Sequence, residues 1–567
     1  MVKQLIYLFK KLPSNLKFNF YILQILILFH STIQLLSILS IGPFIAVVSG
    51  NLDFLKKFEY LNQFKFSSQM DLLIFTSSLV FLLFLISNIL IATVYILQQR
   101  LAQKASAFIS YKIVEKFYHL PFDYILKNNS SYFRSITEKE TASLTGNILM
   151  PLSDLNAKFF PLLLTLLALI YINVKAAAIV FIFLSIGYIL VFIVTKKKLQ
   201  QNSKKIVADN MGVSHLLNEI LKSYKEAKIF NIENKFLSIY YSIRQKLSLL
   251  SANHIILQTV PRQFFEVLAL LSIIIVIFYL VLNSNKTETL STVGIYLAAG
   301  YRIMPSLQSI LFAISSIKGN QYSLKTIHEI LIAKEIPSKN FINHGQIINK
   351  LEVKNLNFSY DNIQIFKDTN LEFKKGTITG IYGPSGSGKT TLINILLSFI
   401  KPGEKTKFVI NNKVSNLSLD FAKKYISFVP QNIFIFNDNI INNITFQDTI
   451  SKYNYDDIYN LLKKLKLQKF IKNKKNISLK KISEEGGNIS GGQAQRIALA
   501  RCLYKKSEII ILDEFTSSLD QLTEKHILKT IKEHFKNKIV IIITHKKNLI
   551  KFFNKSYEIK NKKFTKI

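Results

Sequence analysis

Three observations predict a membrane domain of six transmembrane helices, with long cytoplasmic helical extensions, fused to an α/β P-loop nucleotide-binding domain. The first is composition: 49% of the 567 residues are apolar, only 19% are charged, and tryptophan is absent. The second is spacing, because the apolar residues of the first half gather into six stretches long enough to cross a bilayer. The third is Gly383-Pro384-Ser385-Gly386-Ser387-Gly388-Lys389-Thr390, which stands between a strand-like run and a helix-like run.

The length allows about two to four domains. A net charge of +38, from 73 Lys and Arg against 35 Asp and Glu, fits a negatively charged membrane face or a general lysine bias. The basic residues are spread along the chain and are not interleaved with aromatics, so no nucleic-acid partner is expected. Cys502 is the only cysteine, which excludes an intrachain disulfide and any metal site built from several cysteines of one chain.

Spans are expected at about 18–48, 71–97, 146–172, 175–195, 255–283 and 288–316, within a membrane domain of residues 1–317. The first apolar run is longer than a secretory core and continues into Gly42-Pro43-Phe44, which favours a retained span. The connections 98–145 and 196–250 are long and rich in Lys and Arg, whereas those near 173–175 and 283–287 are short. Excess positive charge marks the cytoplasmic side, which places the N-terminus, both long connections and everything after about 317 inside. Spans 2 to 5 are expected to run past the bilayer as helices and to end in short transverse helices near 122–130 and 222–234. Between spans 1 and 2, Leu55, Phe58, Leu61 and Phe64 recur at helical spacing, which predicts a helix over 51–66 lying in the outer interface.

Charges inside the spans are costly and normally face a partner or a water-filled cavity. Arg262 and Glu266 stand four apart at the entrance to span 5, and Arg302 stands in span 6. An anionic cargo is one reason to keep them. An Arg262–Glu266 pair, with Arg302 satisfied by a carbonyl or carboxylate, is the other.

Residues 318–350 read as a linker, and an alternating strand beginning at Leu351 opens the soluble domain of residues 351–567. In the phosphate loop, Gly383, Gly386 and Gly388 let the backbone approach phosphate oxygens, alongside Pro384, Ser385 and Ser387, while the helix opens through Thr391. Lys389 would reach the β- and γ-phosphates of ATP, and Thr390 would ligate Mg²⁺. Further along, Gln431 ends a strand where its carbonyl would complete the Mg²⁺ shell. Ser490, Gly491, Gly492 and Gln493 precede a helix and form a second anion site. The unbroken apolar run Ile509–Leu512 predicts a buried strand that delivers Asp513 to Mg²⁺ and Glu514 as general base. His545 ends a last strand, within reach of a γ-phosphate.

In this order the pieces resemble the nucleotide-binding domain of the ATP-binding cassette family over about 351–550. The resemblance implies that Tyr360 stacks on adenine, Gln431 is the Q-loop, Ser490–Gln493 the signature, Asp520 the D-loop and His545 the switch histidine. Ile489 replaces the commoner Leu. It further implies a half-transporter of the exporter type that works as a homodimer, closing two cassettes head to tail on two ATP. The stretches at Leu120–Tyr124 and Lys222–Phe230 lie where such exporters carry coupling helices.

The runs around Arg262 and Arg302, the 51–66 segment and Pro430–Ile440 resemble bacterial lipid-linked oligosaccharide flippases of the PglK type. That resemblance implies a polyprenyl-diphosphate glycan moved from the inner to the outer leaflet of a bacterial inner membrane. The tail would gain roughly 0.8 kcal/mol per buried CH₂ by staying in the bilayer, while Arg262 and Arg302 suit phosphate oxygens. An exporter of other lipids, drugs or peptides, and a non-transporting ATP-gated regulator, remain the alternatives.

Overall fold

The computed structural model describes residues 1–50, 68–283, 286–335, 347–360, 363–446, 454–473, 476–477, 481–482 and 489–567; of Arg262 only the backbone is described. The 51–66 helix expected from the sequence lies outside these residues. The chain divides into two compact units, Met1–Leu120 with Tyr124–Glu335, and Pro121–Asp123 with Ile336–Ile567.

The first unit is helical. An N-terminal helix α1 (Val2–Lys11) precedes α2 (Ser14–Leu39) and α3 (Ile41–Val48), which are separated at Ser40 three residues before Pro43. A proline has no amide N–H to donate, so one apolar run becomes two helices. Next, α4 (Gln69–His119) starts on a capping box: Asp71 N–H donates to Ser68 Oγ (3.2 Å) and Ser68 N–H to Asp71 Oδ2 (3.0 Å). Its 51 residues span about 77 Å, more than twice the hydrocarbon thickness, so much of it stands outside the bilayer.

Two short helices, α5 (Phe122–Lys127) and α6 (Ser130–Ser135), lead through π-helical turns at Ile136–Glu140 and Thr145–Leu149 into α7 (Met150–Ile172). The turn to α8 (Val174–Lys222) is a single residue, Asn173, whose Oδ1 accepts from Ala176 N–H (3.1 Å). The Tyr296 hydroxyl donates to Leu169 O (3.2 Å) and Asn173 O (3.1 Å), pinning that turn. After α9 (Tyr224–Ile229), α10 (Glu233–Thr259) and α11 (Pro261–Asn283) are split at Pro261 and followed by α12 (Lys286–Gly319).

Six of these helical stretches are long and apolar enough to cross a membrane. Phe81, Phe278 and Leu282 stand out from the bundle at 70%, 66% and 80% exposure, which suits lipid and not water. The segment expected as a linker holds a further helix, α13 (Gln321–Ile332). Leu324, Ile327 and Ile330 recur on one face and are buried with Ile113, Ile136 and Ile148, so an apolar stripe drew part of the linker into the bundle.

The second unit carries two main sheets. Strands β1 (Lys350–Tyr360), β2 (Ile363–Lys374), β4 (Lys407–Ile410) and β5 (Lys413–Ser415) form an antiparallel sheet in the order β2-β1-β4-β5. The larger sheet runs β12-β11-β3-β10-β9-β6, built from β3 (Ile378–Tyr382), β6 (Ile426–Val429), β9 (Ile509–Asp513), β10 (Ile539–Thr544), β11 (Lys555–Lys560) and β12 (Lys563–Lys566). Its four central pairings are parallel, and β9 and β10 are buried along their whole length. That is what unbroken runs of Ile and Val dictate: strands covered on both faces by helices. A two-stranded ribbon, β7 (Ile471–Asn473) with β8 (Asn476–Ile477), completes the set. Cys502 is buried and free, and burial pushes its thiol up to about 12.

Candidate functional site

The carboxyl ends of β3, β6, β9 and β10 bring the predicted nucleotide residues together, as open parallel sheets do. After Tyr382 the chain curls through 383–388 into α14 (Lys389–Leu396). Gly386 and Gly388 hold φ of +78° and +100°, and a Cβ on Gly388 would meet Ile365 at 2.7 Å and Phe366 at 3.0 Å. Only glycine serves at 388. Lys389 Nζ donates to Gly383 O and Pro384 O, both at 2.8 Å, so the ammonium sits within the curl of the loop. Pro384, Ser385 and Thr390 are exposed, while Thr391 is buried beneath the helix. Ser387 Oγ is buried without a hydrogen-bond partner. An orphaned hydroxyl, a lysine ammonium and a helix N-terminus at one point fit an anionic phosphate group.

At the end of β9 the chain buries Asp513 and carries Glu514 to Gln431 and His545. Glu514 adopts φ +46°, unusual for a non-glycine residue, and its N–H donates to Ile543 O (3.0 Å). Both carboxylate oxygens are engaged. Gln431 Nε2 donates to Oε2 (2.9 Å), and His545 Nδ1 lies 3.2 Å from Oε1. Burial first, and then the neighbouring Glu514, push the Asp513 carboxyl up to about 6, with Lys389 pulling the other way.

Thr390, Gln431 and Asp513 supply oxygens that suit Mg²⁺, a hard cation that completes its shell with water and nucleotide oxygens. Among the described residues no three or more of His, Cys, Asp and Glu gather as a metal cage. A metal here would therefore share its coordination with the nucleotide.

The signature residues stand apart from this group. Ser490 caps α15 (Gly491–Lys505) with a capping box, Gln493 N–H donating to Ser490 Oγ (3.3 Å) and Ser490 N–H to Gln493 Oε1 (3.0 Å). Gly491 and Gly492 pack beneath Ser518, where a Cβ on Gly492 would meet Ser518 O at 3.0 Å. Asp520 caps α16 (Gln521–His534) by accepting from Thr523 N–H (3.0 Å), and those hydrogen bonds hold its carboxyl below the usual range. No hydrogen bond among the described residues joins Ser490, Gly491, Gly492, Gln493 or Asp520 to the phosphate loop. Tyr360 ends β1 paired with Ile363, 38% exposed and edge-on to Phe358 at 4.8 Å, with a ring face open to a base.

Two residues not singled out in the sequence also build this site. The Gln495 amide contacts Phe515 O (3.0 Å), Ser517 Oγ (2.8 Å) and Ser518 N (3.3 Å), fastening the segment after Glu514 to α15. Lys546 Nζ donates to Thr516 O (3.0 Å) and Glu524 Oε1 (2.9 Å), so the residue next to His545 anchors the same segment. Tertiary contacts alone reveal both.

In the membrane unit, Glu266 Oε1 accepts from Gln308 Nε2 (2.8 Å). The Arg302 guanidinium lies over the Phe84 ring at 4.8 Å, with Nη1 3.5 Å from Asn88 Oδ1 and Nε buried without a partner. Lys158 is within electrostatic reach of Asp154, Arg302 and His30, and both His30 ring nitrogens are buried without partners. Reading the sequence missed Asp154, Lys158 and His30. Asp154 and Lys158 stand four apart, a helical spacing that could have marked them, whereas His30 has no charged residue near it in sequence.

A phosphate-loop α/β domain in one chain with six membrane-length helices defines a membrane-bound nucleotide-binding protein. Two family models refine that class, "ABC transporter" over residues 366–517 and "ABC transporter transmembrane region" over 20–301. The chain belongs to the ABC transporters, with the organisation of an exporter-type half-transporter. It is similar to an ATP-dependent lipid A-core flippase of Wigglesworthia glossinidia brevipalpis, 28% identical over 63% of this chain and 61% of the relative. It is also 36% identical to a putative export ATP-binding/permease protein of Rickettsia typhi, over 35% of this chain and 34% of that protein. The match thus spans less than two thirds of these relatives' length. In fold it resembles a solved bacterial Atm1-family ABC exporter with ATP bound, at a TM-score of 0.81 and 19% identity over 96% of this chain and 93% of the other.

Proposed function

We propose that this chain is an ATP-driven exporter that moves an amphipathic lipid from the inner to the outer leaflet of a bacterial inner membrane, working as a homodimer. The observation that carries the reading is the convergence of Gln431 and His545 on the Glu514 carboxylate, beside the phosphate loop. Glu514 acts as general base toward water, oriented by two donors that fix both its oxygens. Lys389 and the loop amides hold the β- and γ-phosphates, Tyr360 takes the adenine face, and His545 is placed to sense the γ-phosphate. Thr390, Gln431 and Asp513 would hold Mg²⁺, which when bound neutralises charge on the phosphates. Ser490–Gln493 and Asp520, whose hydrogen bonds among the described residues are local capping bonds, serve the site of a second copy.

The excess of Lys and Arg in the long connections supports placing the nucleotide domain in the cytoplasm. Similarity to proteins named as lipid A-core flippases favours a lipid-like cargo. A narrower second reading, a lipid-linked oligosaccharide bearing a diphosphate, draws on Arg302, whose Nε lacks a partner and which lies within electrostatic reach of Lys158. Arg262 and Glu266 belong to that reading as cargo contacts.

Reconstitution in sealed vesicles tests both. A fluorescent phospholipid and a polyprenyl-diphosphate glycan are followed across the bilayer on adding ATP, with Glu514→Gln as the dead control. ATP-dependent movement of either supports export, and its absence for both refutes lipid cargo. Arg302→Ala should abolish movement of the diphosphate glycan and leave basal ATP hydrolysis. Unchanged movement would remove the narrower reading, and unchanged cargo-stimulated hydrolysis would favour a drug or peptide cargo.

A further inference from the structure

A cavity of about 320 Å³ lies in the membrane unit where three of its helices meet. Tyr7 and Lys11 of α1 form one wall, Phe108, Lys112 and Lys116 of α4 a second, and Glu335, just past the end of α13, borders the third. None of its described lining residues belongs to the nucleotide site or to the polar groups of the spans.

Depth sets this cavity in the cytosol. On α4, Phe108 and Lys116 stand about 16 and 28 Å along the axis past residue 97, where the second apolar span is expected to end. The headgroup layer is only roughly 5–8 Å deep on each side of the hydrocarbon, so an occupant comes from solution.

Charge leaves cations facing the space. Lys112 pairs with Glu115 one turn along its own helix, and Lys116 Nζ donates to Glu335 Oε1 (2.8 Å). Lys11 has no hydrogen bond or ion pair among the described residues, and its ammonium lies 5.8 Å from the centre of the Tyr7 ring. The Glu335 carboxyl is held below its ordinary value, chiefly by the Lys116 hydrogen bond and charge, with His119 and Lys11 adding to it, so these basic groups converge on one point. Lys116 itself is 8% exposed, yet the carboxylate it holds is 56% exposed. An ammonium has three donors, and burying one with a single acceptor among the described residues is costly. A phosphate oxygen in the cavity would take the others.

The rest of the lining suits a flat ring. Leu8 of α1, Ile109 of α4 and Leu331 of α13 stand with the rings of Tyr7 and Phe108. Cations recognise phosphate, whereas ring faces and aliphatic walls hold a heterocycle. The volume is at the lower end for small-molecule pockets.

We propose that this cavity binds a soluble mononucleotide, its phosphate between Lys11 and Lys116 and its base against Tyr7 and Phe108. The phosphate competes with Glu335 for Lys116 where the chain leaves the membrane unit, so binding replaces a tie to the segment after α13 with one to α1.

Tryptophan is absent from the chain, so Phe108→Trp puts a lone reporter in the wall. Its fluorescence in the purified full-length protein is followed while adenosine 5′-monophosphate, adenosine or ribose 5-phosphate is added. The monophosphate should bind about tenfold more tightly than either fragment. Lys11→Met and Lys116→Met should each weaken it by about tenfold and leave adenosine unchanged, with Lys116→Arg keeping most of the affinity. Lys389→Ala, in the phosphate loop, should leave the response intact. Loss of the response in that variant would show the reporter reading the nucleotide domain and overturns the proposal. Equal binding of the three probes, or a response that survives both lysine variants, overturns it too. So does a response to phosphatidylglycerol vesicles in place of the monophosphate, which would make the site a lipid one. Native mass spectrometry of Lys389→Ala with Phe108 retained checks the same ranking in an unaltered wall: one monophosphate per chain is expected, and none refutes the site.

Discussion

Glu514 is the residue on which the proposed chemistry turns, and its left-handed backbone, at φ +46°, shows the local fold spending stability to aim it. Glu514→Gln keeps the shape and the contact with His545 but removes the base. Turnover measured by phosphate release should fall by about 10²–10⁴-fold, with nucleotide binding retained. A second residue makes a prediction about pH. Glu372 lies against Lys350 and Lys555, at 3.0 and 3.1 Å, and hydrogen bonding from Lys350 is the main cause that lowers its carboxyl to about 2. A depressed carboxylate contributes stability above its unfolded value, near 4.5, and loses it as pH falls toward 2. Glu372→Gln should therefore lower the unfolding free energy slightly at pH 7, by under about 1 kcal/mol because the pair is partly exposed, and the difference should vanish as pH falls through and below 2. Neither the engagement of Glu514 by Gln431 nor the Glu372 cluster was legible in the sequence: Gln431 lies 83 residues from Glu514, Lys555 lies 183 from Glu372, and Lys350 meets Glu372 only once β1 and β2 pair.

Among the elements, the phosphate loop and strand β9 were readable because local rules decide both. A glycine-rich turn into a helix admits few folds, and the uninterrupted Ile509–Leu512 run has no polar face to give to water. Gly388→Ala puts a Cβ 2.7 Å from Ile365 in a left-handed backbone, and should abolish nucleotide binding measured by fluorescence titration. Helix α13 escaped notice because Lys, Ser and His interrupt an apolar stripe only twelve residues long. The anchor at Lys546 escaped for another reason. Its partners, Thr516 O and Glu524, lie on segments that only the fold brings together. Lys546→Met strips the buried Glu524 of its cation and should cost about 2–4 kcal/mol in denaturant unfolding, with Lys546→Arg recovering most of it.

At the scale of the whole molecule, six apolar stretches and one phosphate loop announced the architecture, while the cargo end stayed obscure. Single polar residues such as His30, Lys158 and Gln308 acquire meaning only when helices bring them together. The proposed head-to-tail pairing has a genetic signature. A copy carrying Lys389→Ala and a copy carrying Ser490→Arg should each be inactive alone. Co-assembled, they rebuild one intact site of two, and about half the hydrolysis rate of the wild type should return in the mixed dimers. No recovery would place both halves of the site in one chain.

The sealed thiol of Cys502 leaves the native surface chemically silent toward maleimides and spin labels. Any cysteine pair added by design would report alone, against no background and with no native residue sacrificed. Distances between labelled points could then be timed through the turnover cycle in the otherwise unaltered protein.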